Sequence, residues 1–223
     1  MADGMMVDPG RYRLAIFDFD GTLADSFPWF LGAVNSAAER YRFRRIEDAD
    51  VERLRGLSAR EMMVHLHVSA WKLPLVVRHM RAMASANLHH FKPFYGVLPL
   101  LHALADRGVA LAVVTSNSRP NVERVLGPEV CARVGFWECG ASVFGKAPRL
   151  RRVLARSRVA AADALCIGDE VRDADAARAA GIPFAAVTWG YTSEAALRAQ
   201  NPAHVFSSVP DLAAALGVAL GEA

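Results

Sequence analysis

The sequence is short of cysteine. Cys131, Cys139 and Cys166 form no CxxC pair, and any disulfide scheme leaves one over. A disulfide-built fold is therefore not expected, and a reduced, cytoplasmic protein is. Cys166 lies in an apolar run and reads as a small buried hydrophobe. No stretch reaches the roughly 18 apolar residues needed to cross a membrane. The opening MADGMMVDPG carries acids and no apolar core, so it is not expected to be a signal segment. Internal repeats and low-complexity segments are absent from the sequence as well.

Concentrated basic charge is also missing. The formal net charge is +3, and much of the base is arginine in alanine-rich stretches, such as Arg149, Arg151 and Arg152. The segment Arg40-Tyr41-Arg42-Phe43-Arg44-Arg45 comes nearest to a basic stripe with interleaved aromatics, but a solvated helix end explains it more simply. Neither nucleic acid nor a membrane is an expected partner. His65 and His67 are two apart and His89 and His90 adjacent, which are not metal-ligand spacings on a helix. What is present is ample core material: 53% of the 223 residues are hydrophobic and 22% charged. That suits one domain with an insertion, or two modest domains, as a monomer or homodimer.

Short apolar runs at 12–17, 109–114, 164–167 and 183–187 read as buried strands. Helical stretches run from Leu98 to Arg107 before Gly108, from Pro120 to Leu126 before Gly127, and from Val171 to Ala180 before Gly181. Strands alternating with helices predict an α/β fold, a doubly wound, Rossmann-like parallel sheet. Residues 27–93 break that rhythm and hold no convincing strand. Helical spacing over Phe27 to Arg42, a capping box at Ser58-Ala59-Arg60-Glu61 and a proline-led helix from Pro74 towards His89 predict an all-helical insertion. The expected division is a core of residues 1–26 and 94–223 and an insertion of residues 27–93.

Four motifs carry chemistry. Phe17-Asp18-Phe19-Asp20-Gly21-Thr22-Leu23 places two carboxylates two apart at a strand end, on one side of the strand, facing the crevice where doubly wound sheets bind ligands. Gly21 and Thr22 let the chain turn with amides free to face an anion. Thr115-Ser116-Asn117-Ser118 follows the second strand and offers a hydroxyl and amides to phosphate oxygens; ordinary capping competes with that reading, and Ser118 is expected to be a cap. Lys146 lies where a cation can reach the same crevice. Gly168-Asp169-Glu170-Val171-Arg172-Asp173 ends another strand and opens a helix, bringing a carboxylate beside Asp18, as a magnesium site needs. Trp189-Gly190-Tyr191 borders the crevice or serves packing.

These motifs, in this order, resemble the haloacid dehalogenase superfamily over nearly the whole chain after residue 10. The insertion is similar to the small helical cap of its phosphoglycolate-phosphatase-like branch, and Arg55-Gly56-Leu57-Ser58 to the cap loop that meets substrate there. The resemblance implies Asp18 as nucleophile, Asp20 as acid and base, Thr115 and Lys146 as phosphate binders, and Asp18, Asp20, Asp169 and Asp173 around Mg2+. Gly21, Thr22, Ser116 and Asn117 are expected against the phosphoryl group, and Arg55 and Arg60 against the rest of the substrate. The chain departs from the family after Lys146, reading Ala147-Pro148-Arg149 where many relatives have Pro-x-Pro. The expected activity is magnesium-dependent hydrolysis of a small phosphorylated metabolite, phosphoglycolate by analogy. A phosphosugar mutase shares all four motifs. A dehalogenase and a non-catalytic binding or regulatory protein are the remaining alternatives.

Overall fold

The computed structural model describes residues 10–57, 59–140 and 145–220. The expected cap Ser58, Phe144 beside Lys146 and residues 1–9 lie outside them. In chain order the elements are β1 (Leu14–Phe17), β2 (Ala24–Asp25), α1 (Phe27–Tyr41), α2 (Val51–Leu54), α3 (Ala59–His65), α4 (Leu73–Ala86), β3 (Lys92–Pro93), α5 (Val97–Asp106), β4 (Ala110–Val114), α6 (Arg119–Arg133), β5 (Val134–Glu138), α7 (Lys146–Ser157), β6 (Ala164–Gly168), α8 (Val171–Ala180), β7 (Phe184–Val187), α9 (Glu194–Arg198), β8 (His204–Phe206) and α10 (Val209–Ala215).

Six strands form one sheet in the order β5-β4-β1-β6-β7-β8, every pairing parallel. The chain moves outward from β1 through β4 to β5, then returns to β6 on the other side of β1. That reversal puts the ligand crevice of a doubly wound sheet at the carboxyl ends of β4, β1 and β6. Alternation along the strands builds two cores. Ala15, Phe17, Leu111, Val113, Leu165 and Ile167 face one side, while Leu14, Ile16, Ala112, Val114 and Cys166 face the other. Cys166 is thus buried as expected. The helical expectation for Pro120 to Leu126 also holds, because Gly127 breaks α6 with φ +79° and ψ 163° before Pro128 restarts it.

Four strands were not anticipated: β2, β3, β5 and β8. β5 and β8 lie at the two edges of the sheet, where half-buried residues such as Phe136 and Val205 give no continuous apolar run. Lys92–Pro93 pairs antiparallel with Ala24–Asp25, so the chain enters and leaves the helical insertion side by side. The insertion has an apolar cluster of its own, centred on Val34, Ile46, Leu54 and Leu66. Arg44 and Arg45, in the arginine-rich segment after α1, pair with Asp50 at 3.0 Å and Glu39 at 2.6 Å. No helix among the described residues is long and apolar enough to cross a membrane.

Candidate active site

β1 sends Phe17 and Phe19 into the core and leaves Asp18 and Asp20 on the opposite side. Asp18 is 4% exposed. Its Oδ1 accepts the Phe19 amide at 2.7 Å. Its Oδ2 has Lys146 Nζ at 2.8 Å, at an angle that makes an ion pair but no hydrogen bond, so this oxygen is buried without a directed donor. Lys146 opens α7 and also donates to Asp173 Oδ1 at 2.5 Å. Burial alone would lower its pKa, but the Asp173 and Asp18 carboxylates outweigh burial and hold the lysine charged.

Asp169, at the end of β6, is fully buried and fixed through both oxygens. Thr22 Oγ1 donates to Oδ1 at 2.6 Å, and the Tyr191 amide donates to Oδ2 at 2.8 Å. The turn after β1 presses against it: Gly21 has φ +77°, and a Cβ there would lie 2.2 Å from Asp169 Oδ2. Gly190 approaches as closely, its Cβ position 2.3 Å from the same oxygen. Only glycine allows both backbones this near. Burial, followed by the charges of Glu170, Asp18 and Asp173, raises the Asp169 pKa well above the usual carboxylate value. Asp173 receives the Glu170 amide at 3.1 Å in a reciprocal cap that opens α8. Burial raises it to about 6, against the lowering pull of Lys146. Glu170, which had no expected role, is that cap and also the partner of Arg172.

Asp18, Asp169 and Asp173 each bring one oxygen within 4.8 Å of the others. The Asp20 carboxylate, expected among the metal ligands, is not in this cluster. Asn117 Nδ2 donates to its two oxygens at 3.3 and 3.2 Å. Burial first, then the Asp18 charge, lifts the Asp20 pKa to about 6, with hydrogen bonds from Asn117 and Ser26 pulling the other way. Asn117 is itself anchored, its Oδ1 accepting from Asn121 Nδ2 at 2.9 Å. Asn117 thus engages the acid while lining the crevice. Thr115 is fully buried at the end of β4, and its Oγ1 accepts the Asn117 amide at 3.0 Å. Ser116 lines the crevice. Ser118 caps α6 as expected, accepting the Asn121 amide at 3.4 Å.

The cap-loop arginines differ from one another. Arg55 reaches down from the residue after α2 and donates to the main-chain oxygens of Gly190 at 2.8 Å and Tyr191 at 3.2 Å, with Glu52 at 3.1 Å. Its fork ties the insertion to the loop that holds Asp169. Arg60 is exposed on α3 and is not among the residues lining the crevice. Sequence reasoning undervalued the 189–191 loop. Trp189 Nε1 donates to the Thr22 carbonyl at 3.1 Å, and Tyr191 OH lies 2.9 Å from Ser26 Oγ. Arg172 was missed altogether: its Nε is buried without a partner, and it lines the crevice. Its place between Glu170 and Asp173 in the fourth motif was the available signal.

Residues 15–187 match the family model described as haloacid dehalogenase-like hydrolase. A phosphoglycolate phosphatase of Synechococcus elongatus is 31% identical over 198 residues, 88% of this chain and 93% of that protein. A phosphoglycolate phosphatase of Caulobacter vibrioides is 32% identical over 209 residues, 87% of each chain. Among solved structures, a haloacid dehalogenase-like family hydrolase of Streptococcus pneumoniae superposes with a TM-score of 0.76 at 21% identity, covering 92% of this chain and 98% of that one. Two carboxylates at the end of the first strand, a lysine between buried acids and a Gly-Asp at the end of β6 sit on the fold those comparisons share. The chain belongs to the haloacid dehalogenase-like hydrolase family.

Proposed function

We propose that this chain is a magnesium-dependent phosphatase that hydrolyses a phosphomonoester through an aspartyl phosphate on Asp18. The observation that carries the reading is the buried convergence of Asp18, Asp169 and Asp173 within 4.8 Å, with Lys146 touching two of them. The cluster fits a small divalent cation. Three carboxylates outweigh one lysine, Asp18 Oδ2 lacks a directed donor, and the donors are hard oxygens. Bound by those acids, magnesium offsets charge on the phosphoryl oxygens. A dehalogenase has no use for such a cluster.

In the first step an Asp18 oxygen bonds to phosphorus as the ester P–O bond breaks, and Asp20 gives its proton to the leaving oxygen. In the second, water bonds to phosphorus, Asp20 takes its proton, and the Asp18–phosphorus bond breaks to release inorganic phosphate. A carboxyl raised to about 6 and held by Asn117 suits both tasks near neutral pH. Lys146 keeps a positive charge 2.8 Å from Asp18 throughout. The helical insertion, residues 27–93, serves as a cap over the crevice and excludes water. The relatives' names make phosphoglycolate the first substrate to test. Phosphate release from it and from an aryl phosphate is expected with magnesium, is lost to a chelator, and is suppressed by calcium, which takes more ligands at longer distance. Full activity in excess chelator contradicts the reading.

A further inference from the structure

A cavity of about 380 Å³ opens at Asp20, Ser116, Asn117 and Arg172 and runs into the helical insertion. Its inner wall is apolar, with Phe30, Leu54, Leu57, Met62, Met80 and Phe91 facing it. A volume of that order holds a ligand of drug size, far beyond the two carbons of glycolate. Several polar groups on the wall are occupied with one another or with the backbone. Asn121 donates to Ser85 at 3.2 Å, and Arg55 to the Gly190 and Tyr191 carbonyls. Arg172 is paired with Glu170 through one terminal nitrogen, while its buried Nε has no partner. Arg81, also on the wall, is exposed. Two methionines give the wall a surface that adapts to aromatic or branched shapes.

We propose that the substrate's organic half is an apolar group, aromatic or branched aliphatic and several carbons larger than glycolate, seated in this cavity while its phosphate faces Asp18. This rests on the phosphatase reading and names its substrate class. The wall gains affinity by removing apolar surface from water, whereas a short carboxylate would leave most of it unfilled.

Binding and turnover are measured separately. Ethyl-, butyl-, hexyl- and phenylpropyl-phosphonate, which cannot be hydrolysed, are titrated by calorimetry into the whole protein with magnesium. The matching phosphate esters and phosphoglycolate are then assayed for phosphate release. Affinity is expected to rise about fourfold per added methylene, and kcat/KM for phenylpropyl phosphate to exceed that for phosphoglycolate by at least about tenfold. Met80→Glu should flatten the series; Met80→Gln, closer in shape, should do the same if the charged variant fails to fold. A flat series, or a phosphoglycolate preference that Arg81→Ala removes, overturns the proposal even if magnesium-dependent turnover through Asp18 stands. A rising series with no ester hydrolysed supports the cavity and overturns the phosphatase reading instead.

Discussion

At the carboxyl edge of the sheet, Asp169 is gripped by Thr22 at 2.6 Å and the Tyr191 amide at 2.8 Å, with two glycine backbones pressed against it. In the helical insertion, Val34, Ile46, Leu54 and Leu66 hold together by apolar contact without such directional bonds between their side chains. The first region fixes atoms and the second fixes a volume. Polar sites in a low-dielectric edge lose their function when one atom changes, while an apolar wall tolerates exchange of similar volumes. If, as proposed, chemistry belongs to the edge and selectivity to the insertion, substitutions in each should fail differently.

The largest contrast is expected from Asp18→Asn set beside Met62→Leu. The first should cut phosphate release by more than about a thousandfold with the fold intact, and the second should change kcat/KM by less than about fivefold. Next, Asp20→Asn should slow hydrolysis of an alkyl phosphate by about a hundredfold or more, the scale of general acid–base catalysis. An aryl phosphate, whose leaving group needs little protonation, should lose far less in its first step. Equal losses at that step would remove the acid role from Asp20.

Gly190→Ala tests the grip itself. The added carbon would sit 2.3 Å from Asp169 Oδ2 and 2.4 Å from the Gly21 carbonyl oxygen. Thermal unfolding should show a loss of about 2 kcal/mol or more, and magnesium titration a weakening of about tenfold, as for groups that orient metal ligands. A comparable enlargement in the insertion, Ala84→Val, should leave magnesium affinity unchanged.

The smallest effect concerns pH. Burial chiefly raises the Asp20 and Asp173 carboxyls to about 6 and holds Asp169 well above the usual carboxylate value. Because folding raises these pKa values, the metal-free folded protein binds protons that the unfolded chain releases. Stability should then increase as pH falls from the folded values towards about 4, where the unfolded carboxylates titrate. The gain should be about 1 kcal/mol for each of Asp20 and Asp173, measured by denaturant unfolding in chelator between about pH 7 and pH 5. Magnesium should reverse the trend, since protonation competes with its binding. A metal-free protein that loses stability over that range would show that other groups dominate.

The sequence made the edge legible because its residues act through short spacings. Asp18 and Asp20 share a strand face, and Asp169 and Asp173 bracket one helix start, so their proximity follows from local geometry. The buried strands at 14–17 and 164–168 were legible as continuous apolar runs. Edge strands β5 and β8 were not, because half-burial leaves no clear period. The grip of Gly190 and Tyr191 on Asp169 joins positions 21–22 residues apart in sequence, just after different strands, and no local pattern announces it. Arg55 shows the same limit: its residue type suggested a substrate anion, and nothing local foretold its reach to the Gly190 and Tyr191 carbonyls beside Glu52. The cavity belongs wholly to assembled surfaces, and its apolar residues read in sequence simply as core.

The covalent role of Asp18 is tested most directly in Asp20→Asn. With an aryl phosphate and magnesium, the leaving group departs without much help from an acid, but the water that must follow lacks its base. Acid quench and peptide mass spectrometry should find the phosphoryl group accumulated on Asp18. Release of the aryl alcohol without any phosphoryl group on Asp18, or with the label on another residue, would contradict the mechanism.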